Sequence, residues 1–226
     1  MQRYAAPMAS SPRADGASGQ PAVGPSRRVE RVGLLGGTFD PPHCGHVAMA
    51  RASMRSLALD RLVLVVANQP WQKVPLRSVT PAEDRLAMVE AMAPLVPGAE
   101  VSRLEIDRGG PSYTADTVDA LLDDAAFRGA TLDLYLIVGA DLVAGLSTWK
   151  RVDHLRAAVT LAVVARPHSD APPPCGWKVV YVEDHPVDVS SSEVRDRLER
   201  GLPVDGLVPD EVVRCIRSRD LYAVPR

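Results

Sequence analysis

Two histidines three residues apart follow a pair of glycines, and they are the strongest chemical signal in this 226-residue sequence. His43 and His46 come after the segment 36–40 (GGTFD), and Gly45 stands between them. Glycines allow a tight turn and a close approach of the backbone to a ligand. A helix that starts here presents free N–H groups and the positive end of its dipole to an anion. Imidazole N–H groups add donors, so the segment predicts a phosphate-binding loop.

Other interpretations of this segment have less support. Capping or packing would explain one histidine, but two at this spacing after a glycine turn favour phosphate. No Gly-Lys-Ser/Thr follows, so the loop is not a P-loop, and the dinucleotide fingerprint Gly-x-Gly-x-x-Gly is absent. A metal site formed by Asp40, His43 and His46 has no second ligand cluster beside it. We therefore predict no protein-bound metal ion.

A second anion-binding feature lies near the C-terminus. Ser190 and Glu193 have the spacing of a capping box. Ser191 and Ser192 would then offer N–H groups and hydroxyls at the start of a helix. Arg195, one turn further, could reach the same anion. Taken alone, this pattern also fits an ordinary capped helix with a surface arginine.

Composition limits the classes of partner. The chain is 46% hydrophobic and 24% charged, and its formal net charge is -2. This charge balance favours neither nucleic acid nor an anionic membrane, and no apolar run approaches the ~18 residues of a membrane span. Cys44, Cys175 and Cys215 are widely separated. They predict no disulfide framework and no structural zinc site, and they favour a reducing cytoplasm.

The elements that must position these residues alternate along the chain. Residues 1–28 are rich in Ala, Ser, Pro and Gly and predict a flexible tail, followed by one domain over 29–226. Apolar runs predict strands at 32–35, 62–66, 101–106, 132–138, 159–165 and 177–182. Helical patterns cover 46–59, 80–93, 113–127, 192–200 and 209–217, and Thr80 is the predicted cap of the second helix. Alternating apolar strands and helices predict an α/β fold with a doubly wound parallel sheet. Its ligand should bind outside the carboxyl ends of the strands.

The sequence also resembles a known family. The segment 37–46 resembles the HxGH signature of the nucleotidylyltransferase superfamily, and 189–195 (VSSSEVR) resembles its second signature, usually ISSTxIR. The segment 66–73 (VANQPWQK) resembles the substrate loop of bacterial nicotinate-mononucleotide adenylyltransferases, especially an actinobacterial form. The segments 108–117 and 139–149 resemble that family's SYTxDT and GxD…W segments. The resemblance spans about 32–222 and implies a Rossmann-like nucleotidylyltransferase fold.

The sequence departs from the family pattern in a few places. Val-Ser-Ser-Ser at 189–192 stands where Ile-Ser-Ser-Thr is usual, and it keeps the hydroxyls. Ala67 occupies a position where proline is common, and Lys150 one where an aromatic residue sometimes occurs. None of these differences removes a charged group that the reaction needs.

The resemblance implies a reaction and a set of site residues. The reaction is adenylyl transfer from ATP to nicotinate mononucleotide, giving deamido-NAD and pyrophosphate, with Mg²⁺ bound together with ATP. The implied catalytic residues are His43, His46, Lys73 and Arg195. The implied ATP-binding residues are Gly36, Gly37, Thr38, Phe39, His43, Gly45, His46, Gly139, Asp141, Arg166, Ser191, Ser192 and Arg195. The implied acceptor-binding residues are Asn68, Lys73, Tyr113, Thr114, Trp149 and Lys150.

Individual roles follow from the same resemblance. Trp149 would stack on the pyridine ring. The backbone N–H groups of Thr114 and Lys150 and the side chain of Asn68 would bind the pyridine carboxylate. His46 would lie nearest the transferring phosphate.

Alternative functions remain open at this level. Nicotinamide mononucleotide or another phosphate acceptor, such as phosphopantetheine, would give a sister transferase. A nucleotide-binding regulatory protein without catalysis is a further alternative. The sequence leaves open the choice between acid and amide and whether the chain forms a homo-oligomer.

Overall fold

The computed structural model describes residues 29–70, 78–164, 174–183 and 187–222. The predicted tail at 1–28 lies outside the described residues, as do Lys73 and Arg166. Their predicted roles therefore stay predictions.

Six strands form one sheet in which every neighbouring pair is parallel. The strands are β1 Val29–Gly37, β2 Arg61–Val66, β3 Ala99–Ser102, β4 Thr131–Gly139, β5 Thr160–Val164 and β6 Val179–Val182. Their order across the sheet is β3-β2-β1-β4-β5-β6. This is the order of the doubly wound dinucleotide-binding folds. The predicted fold class is confirmed.

Helices cover both faces of the sheet. They are α1 Cys44–Ser56, α2 Ala82–Met92, α3 Leu104–Arg108, α4 Thr114–Phe127, α5 Val152–Ala158, α6 Ser191–Glu199 and α7 Asp210–Ser218, with 3₁₀ segments at Ala93–Leu95 and Ala140–Thr148. One hydrophobic cluster includes buried residues of α1, α2, α6 and α7. The other includes buried residues of α4, α5 and the second 3₁₀ segment. Among the residues described, no helix has the length and apolar character needed to cross a membrane.

The position of the ligand crevice follows from this topology. β1 and β4 are hydrogen-bonded neighbours, with Leu34 opposite Leu136 in the register. From β1 the chain continues to β2 on one side, and from β4 it continues to β5 on the other. Loops that leave adjacent strands in opposite directions open a crevice at the carboxyl ends of those strands. Gly37 and Gly139 end β1 and β4 at this point.

The strand predicted over 101–106 is wrong in its second half. β3 ends at Ser102, and α3 begins at Leu104, whose N–H donates to Ser102 Oγ at 3.3 Å. Glu105 is drawn inward and accepts a hydrogen bond of 2.6 Å from the hydroxyl of Thr117 on α4. This tertiary contact turns the chain into a helix where the alternating sequence favoured a strand.

The cap predicted for α2 is also wrong. Pro81, not Thr80, is the N-cap residue, and no side chain caps the helix. The carbonyl of Thr80 accepts a hydrogen bond from the side chain of Arg85, and the carboxylate of Glu83 binds Arg103 at 2.8 Å. The side chain of Thr80 is hydrogen-bonded to the hydroxyl of Tyr222 and does not cap the helix.

Candidate active site

The loop between β1 and α1 is held tightly against the protein. Phe39 and Asp40 are almost fully buried. Phe39 has φ +50°, in the left-handed region, and its ring lies over the backbone of Gly37. A Cβ at Gly37 would come within 2.9 Å of that ring, whereas a Cβ at Gly36 would meet open space. The two glycines therefore serve different purposes: Gly37 makes room for Phe39, and Gly36 keeps the crevice open.

The two histidines stack beside each other at the start of α1. Their ring centroids are 3.8 Å apart, and the ring of Phe39 lies 4.9 Å from that of His46. The backbone N–H of His43 donates to Nδ1 of His46 at 3.1 Å. Because Nδ1 accepts, the proton of the neutral His46 ring is on Nε2. This tautomer presents an N–H donor on the side of the ring away from the His43 amide, which suits a phosphate oxygen.

A glycine between the histidines permits this stacking. A Cβ at Gly45 would lie 3.0 Å from Nδ1 of His43. The backbone N–H of Cys44 donates to the carbonyl of Leu207 at 2.8 Å and anchors the first turn of α1. Burial raises the pKa of the Cys44 thiol, so little thiolate is present at neutral pH.

The second signature docks directly onto this loop. Ser190 is the N-cap of α6, and its hydroxyl accepts from the N–H of Glu193 at 3.1 Å. Ser191 Oγ donates to the carbonyl of Pro41 at 2.9 Å. α6 thus begins against the loop that carries the histidines.

The reciprocal half of the predicted capping box is replaced by another contact. The carboxylate of Glu193 accepts from Nε of Arg197 at 3.1 Å on the exposed side of α6. Arg195 instead faces the loop, where Nη1 donates to the carbonyl of Asp40 at 2.7 Å and Nη2 to Ser192 Oγ at 3.1 Å. The structure therefore brings the predicted phosphate-binding residues of both signatures together.

A cavity of about 180 Å³ opens at the carboxyl ends of β1 and β4. It is lined by backbone and side chains from both halves of the fold, including the predicted site residues Gly36, Gly37, Thr38, Tyr113, Thr114, Trp149 and Lys150. The two histidines are not among its lining residues. Residues of the predicted ATP loop and predicted acceptor residues thus line the same cavity.

The segment after β2 is fastened to the loop before α4. The backbone N–H of Asn68 donates to Ser112 Oγ at 2.8 Å, and its side-chain amide donates to the carbonyl of Gly110 at 3.0 Å. The N–H of Ser112 donates to the carbonyl of Gln69 at 3.0 Å. Asn68 is therefore held beside the cavity, although it is not one of its lining residues.

Ion pairs hold the Trp149 loop against α4. Trp149 is half-buried and ends the second 3₁₀ segment, and the ammonium of Lys150 lies 4.0 Å from the centroid of the Tyr113 ring. Arg151 binds Asp116 at 3.3 Å and Asp119 at 2.7 Å, both on α4. The hydrogen bond from Arg151 is the main cause of the lowered pKa of Asp119. These contacts place Trp149 and Lys150 opposite the first turn of α4.

Asp141 lies at the end of β4, next to the same crevice. It is exposed in the first turn of the second 3₁₀ segment, and its carboxylate lies over the backbone of Gly139. A side chain at Gly139 would collide with this carboxylate. Gly139 and Asp141 thus lie at the carboxyl end of β4, the strand that pairs with β1.

Sequence reasoning missed two residues that support the loop. Arg85 is 1% exposed on α2, and its guanidinium donates to the carbonyls of Thr38, Ala67 and Asn68. It occupies the helical position at which Val89 and Met92 point into the core, so a charged residue in an apolar stripe was the available signal.

Tyr222 is the second such residue. Its hydroxyl donates to Oδ1 of the buried Asp40 at 2.7 Å. No local pattern indicates this contact, because 182 residues separate the two partners.

The part of the chain that the structure describes contains no group of three His, Cys, Asp or Glu residues arranged to hold a metal ion. The carboxylate of Asp40, one of the candidate ligands considered above, accepts a hydrogen bond from the phenol of Tyr222.

Comparison with known proteins identifies the family. The family model described as cytidylyltransferase-like matches residues 34–197. A protein of Bordetella avium named a probable nicotinate-nucleotide adenylyltransferase is 40% identical over 203 residues, covering 86% of this chain and 98% of the relative. One of the same name from Acidothermus cellulolyticus is 39% identical over 199 residues, covering 86% and 95%.

A solved structure shares the fold at much lower identity. The Plasmodium falciparum nicotinic acid mononucleotide adenylyltransferase complexed with NaAD has a TM-score of 0.72 at 17% identity, covering 85% of this chain and 97% of that one. The shared architecture is the Rossmann-like nucleotidylyltransferase fold. The curated relatives mark the chain as a nucleotidyltransferase. The chain belongs to the cytidylyltransferase-like family. Within it, sequence identity places the chain among the nicotinate-nucleotide adenylyltransferases.

Proposed function

We propose that this protein transfers the adenylyl group of ATP to nicotinate mononucleotide, releasing pyrophosphate and forming deamido-NAD. The observation that carries the proposal is the docking of α6 on the loop between β1 and α1 (38–43, the histidine loop). Arg195 there donates to the carbonyl of Asp40 at 2.7 Å. This contact puts a permanent cation next to a helix start that already favours anions. An aromatic-lined cavity for a second substrate lies at the same strand ends.

The phosphate side of the reaction requires charge stabilisation and no enzyme nucleophile. The acceptor phosphate attacks the α-phosphorus of ATP in line, the bond to the β-phosphate oxygen breaks, and pyrophosphate leaves. Such transfers depend mainly on positioning and on stabilising the developing charge. We assign the Nε2–H of His46 to the transferring phosphate, His43 to the neighbouring phosphate, and Arg195 with Lys73 to the leaving pyrophosphate.

The remaining ATP contacts follow the arrangement around the loop. Gly36 supplies space for the nucleotide, Thr38 and Phe39 supply backbone groups, and Ser191 and Ser192 supply donors at the start of α6. Asp141 is assigned to a ribose hydroxyl, at the end of β4. Arg166 is assigned to the adenine end.

The cavity fits the pyridine end of the acceptor. A cavity of about 150 Å³ accommodates benzene, so 180 Å³ has room for one pyridine ring. Trp149 offers an aromatic face, and stacking of aromatic rings contributes about 0.5–1.5 kcal/mol beyond burial. Thr114 and Lys150 offer backbone N–H groups for the carboxylate, and Asn68 is fastened beside them by Ser112.

Magnesium enters the proposal as the partner of ATP. The donors at this site are imidazoles, backbone N–H groups and a guanidinium, which suit phosphate oxygens rather than a metal cage. Mg²⁺ keeps several waters and binds through substrate phosphates in sites of this kind. When bound, it would neutralise charge on the pyrophosphate, and no residue of this chain is assigned as its ligand.

The reaction is tested by measuring pyrophosphate release with ATP and three acceptors: nicotinate mononucleotide, nicotinamide mononucleotide and phosphopantetheine. The proposal expects efficient turnover with nicotinate mononucleotide alone. Equal turnover with nicotinamide mononucleotide would refute the acid specificity and leave adenylyl transfer in place. Nucleotide binding without turnover of any acceptor would instead support a regulatory protein.

A further inference from the structure

Arg85 forms a buried bridge between two separate loops. The guanidinium of this α2 residue is 1% exposed. Its Nη1 donates to the carbonyl of Thr38 at 2.8 Å and to that of Ala67 at 2.6 Å. Nη2 donates to the carbonyl of Asn68 at 3.0 Å, and Nε to that of Thr80 at 2.7 Å. An arginine stays charged in a protein, and a buried charge is strongly unfavourable unless it is hydrogen-bonded. The four carbonyls are therefore held in fixed positions around it.

The two bridged loops are those of the two proposed substrates. Thr38 follows β1 in the histidine loop and lines the cavity. Ala67 lines the same cavity after β2, and Asn68 begins the acceptor segment. α2 is a firm support for the bridge, because Val89 and Met92 on the same helix are completely buried in the core.

The bridge also sets the direction of backbone donors. In a trans peptide group the C=O and N–H bonds point in opposite directions. The hydrogen bond to the Thr38 carbonyl therefore turns the N–H of Phe39 away from Arg85. In the same way, the bond to the Ala67 carbonyl turns the N–H of Asn68 away, and that N–H is the one donated to Ser112 Oγ.

We propose that Arg85 is a positioning residue. It fixes the histidine loop (38–43) relative to the acceptor segment that begins at 67–68, so that the acceptor phosphate is aligned with the α-phosphorus. The inference rests on the proposed function, because it takes the two loops to carry the two substrates. Arg85 acts through backbone carbonyls and touches neither substrate. Its loss should reduce kcat more than it weakens the binding of either substrate alone.

The test compares full-length Arg85→Met, Arg85→Lys and Val89→Ala with the wild type. Val89→Ala is the matched control, because it removes buried volume one turn along the same helix without touching either loop. Steady-state kinetics are measured at a temperature at which circular dichroism shows each variant folded. Misplacing reacting groups by about 1 Å costs about 10²-fold in rate, so we expect Arg85→Met to lose about that factor in kcat. Both KM values should change by less than about threefold, since each loop keeps its own donors.

Arg85→Lys keeps the charge, but a single ammonium cannot reach carbonyls spread around a planar guanidinium. We expect an intermediate loss of kcat, about tenfold. This variant carries the kinetic test if Arg85→Met does not fold. A kcat for the arginine variants equal to that of Val89→Ala would overturn the inference.

A second readout does not depend on the identity of the acceptor. Amide hydrogen exchange of the substrate-free proteins should be faster over 36–46 and 64–70 in the arginine variants, and unchanged there in Val89→Ala. Unchanged exchange in both segments would also overturn the inference. If the wild type fails to use nicotinate mononucleotide, the proposed function fails, and the exchange experiment still decides whether Arg85 fixes the loops.

Discussion

Arg195 on α6 donates a hydrogen bond of 2.7 Å to the backbone carbonyl of Asp40, across a sequence separation of 155 residues. The same side chain donates to Ser192 at the start of its own helix. One guanidinium thus links the two segments that the sequence marks as anion-binding. This link gives the histidine-bearing loop a permanently charged cation.

Replacing Arg195 should therefore impair catalysis more than folding. In Arg195→Ala we expect kcat to fall by about 10²–10³, the scale for removal of one transition-state donor. The change is measured as kcat and KM for ATP with nicotinate mononucleotide as acceptor.

Arg197 provides the control on the same helix. Its side chain pairs with Glu193 on the exposed side of α6, and exposed ion pairs of this kind contribute about 0–1 kcal/mol. Arg197→Ala should keep the wild-type kcat. Equal losses in the two variants would mean that α6 only needs its charge, and the assigned role of Arg195 would be wrong.

The neighbouring glycines should respond differently to alanine. A Cβ at Gly37 would lie 2.9 Å from the Phe39 ring, and overpacking of this kind costs about 1–3 kcal/mol. For a domain of this size each kcal/mol lowers Tm by about 2–4 °C, so we expect a clear drop in the Tm of Gly37→Ala by calorimetry.

Gly36→Ala should instead keep its Tm, since its Cβ would have no atom within 4 Å. We expect a higher KM for ATP, because the added methyl occupies the nucleotide's space. A lower Tm of Gly36→Ala with an unchanged KM for ATP would show that Gly36 is not part of the ATP site.

Tyr222 should stabilise the histidine loop from the end of the described chain. Tyr222→Phe removes the donor to Oδ1 of the buried Asp40, and loss of a hydrogen bond to a buried group costs about 1–3 kcal/mol. Urea unfolding measures this cost. Tyr181→Phe is the control, because the Tyr181 side chain is exposed and should change the free energy of unfolding little.

The same phenol predicts a pH dependence. Burial raises the pKa of Tyr222 above its usual value, which is about 10 in unfolded chains. The folded state then holds this proton where the unfolded state releases it, so its contribution to stability is present below pH 10 and declines above it. Between about pH 9 and 11, the free energy of unfolding of the wild type should fall more steeply than that of Tyr222→Phe. Parallel curves would contradict the prediction.

Removal of magnesium should abolish turnover without affecting the fold. We expect EDTA to stop pyrophosphate release, because the charge on the triphosphate is then no longer neutralised. The Tm of the nucleotide-free protein should not change, since the chain is assigned no metal ligand of its own. A lower Tm in EDTA would point to a resident metal ion.

Local patterns predicted most of the sheet and the helices on it. The apolar run 132–138 predicted β4, observed at Thr131–Gly139, because a strand covered on both faces reads as continuous apolar sequence. The run 62–66 predicted β2 for the same reason. Between 101 and 106 the alternation was misleading, because the bond between Glu105 and Thr117 decides the local structure.

The candidate site was predictable only as separate pieces. His43 and Ser190 each stand at a helix start that local spacing reveals. The contacts that assemble the pieces involve Arg85, Arg195 and Tyr222, and their partners are distant in sequence or are backbone carbonyls. A carbonyl carries no sequence signal, so only the folded chain shows which one a side chain will bind.

The ratio of kcat/KM for nicotinate mononucleotide to that for nicotinamide mononucleotide tests the central claim most directly. A site built to hydrogen-bond one substrate group rejects an analogue that leaves its donors unpaired by a factor of about 10⁴ or more. We expect a strong preference of this kind for the acid, with formation of deamido-NAD matching the pyrophosphate released. A ratio near one, or pyrophosphate release without deamido-NAD, would contradict the account.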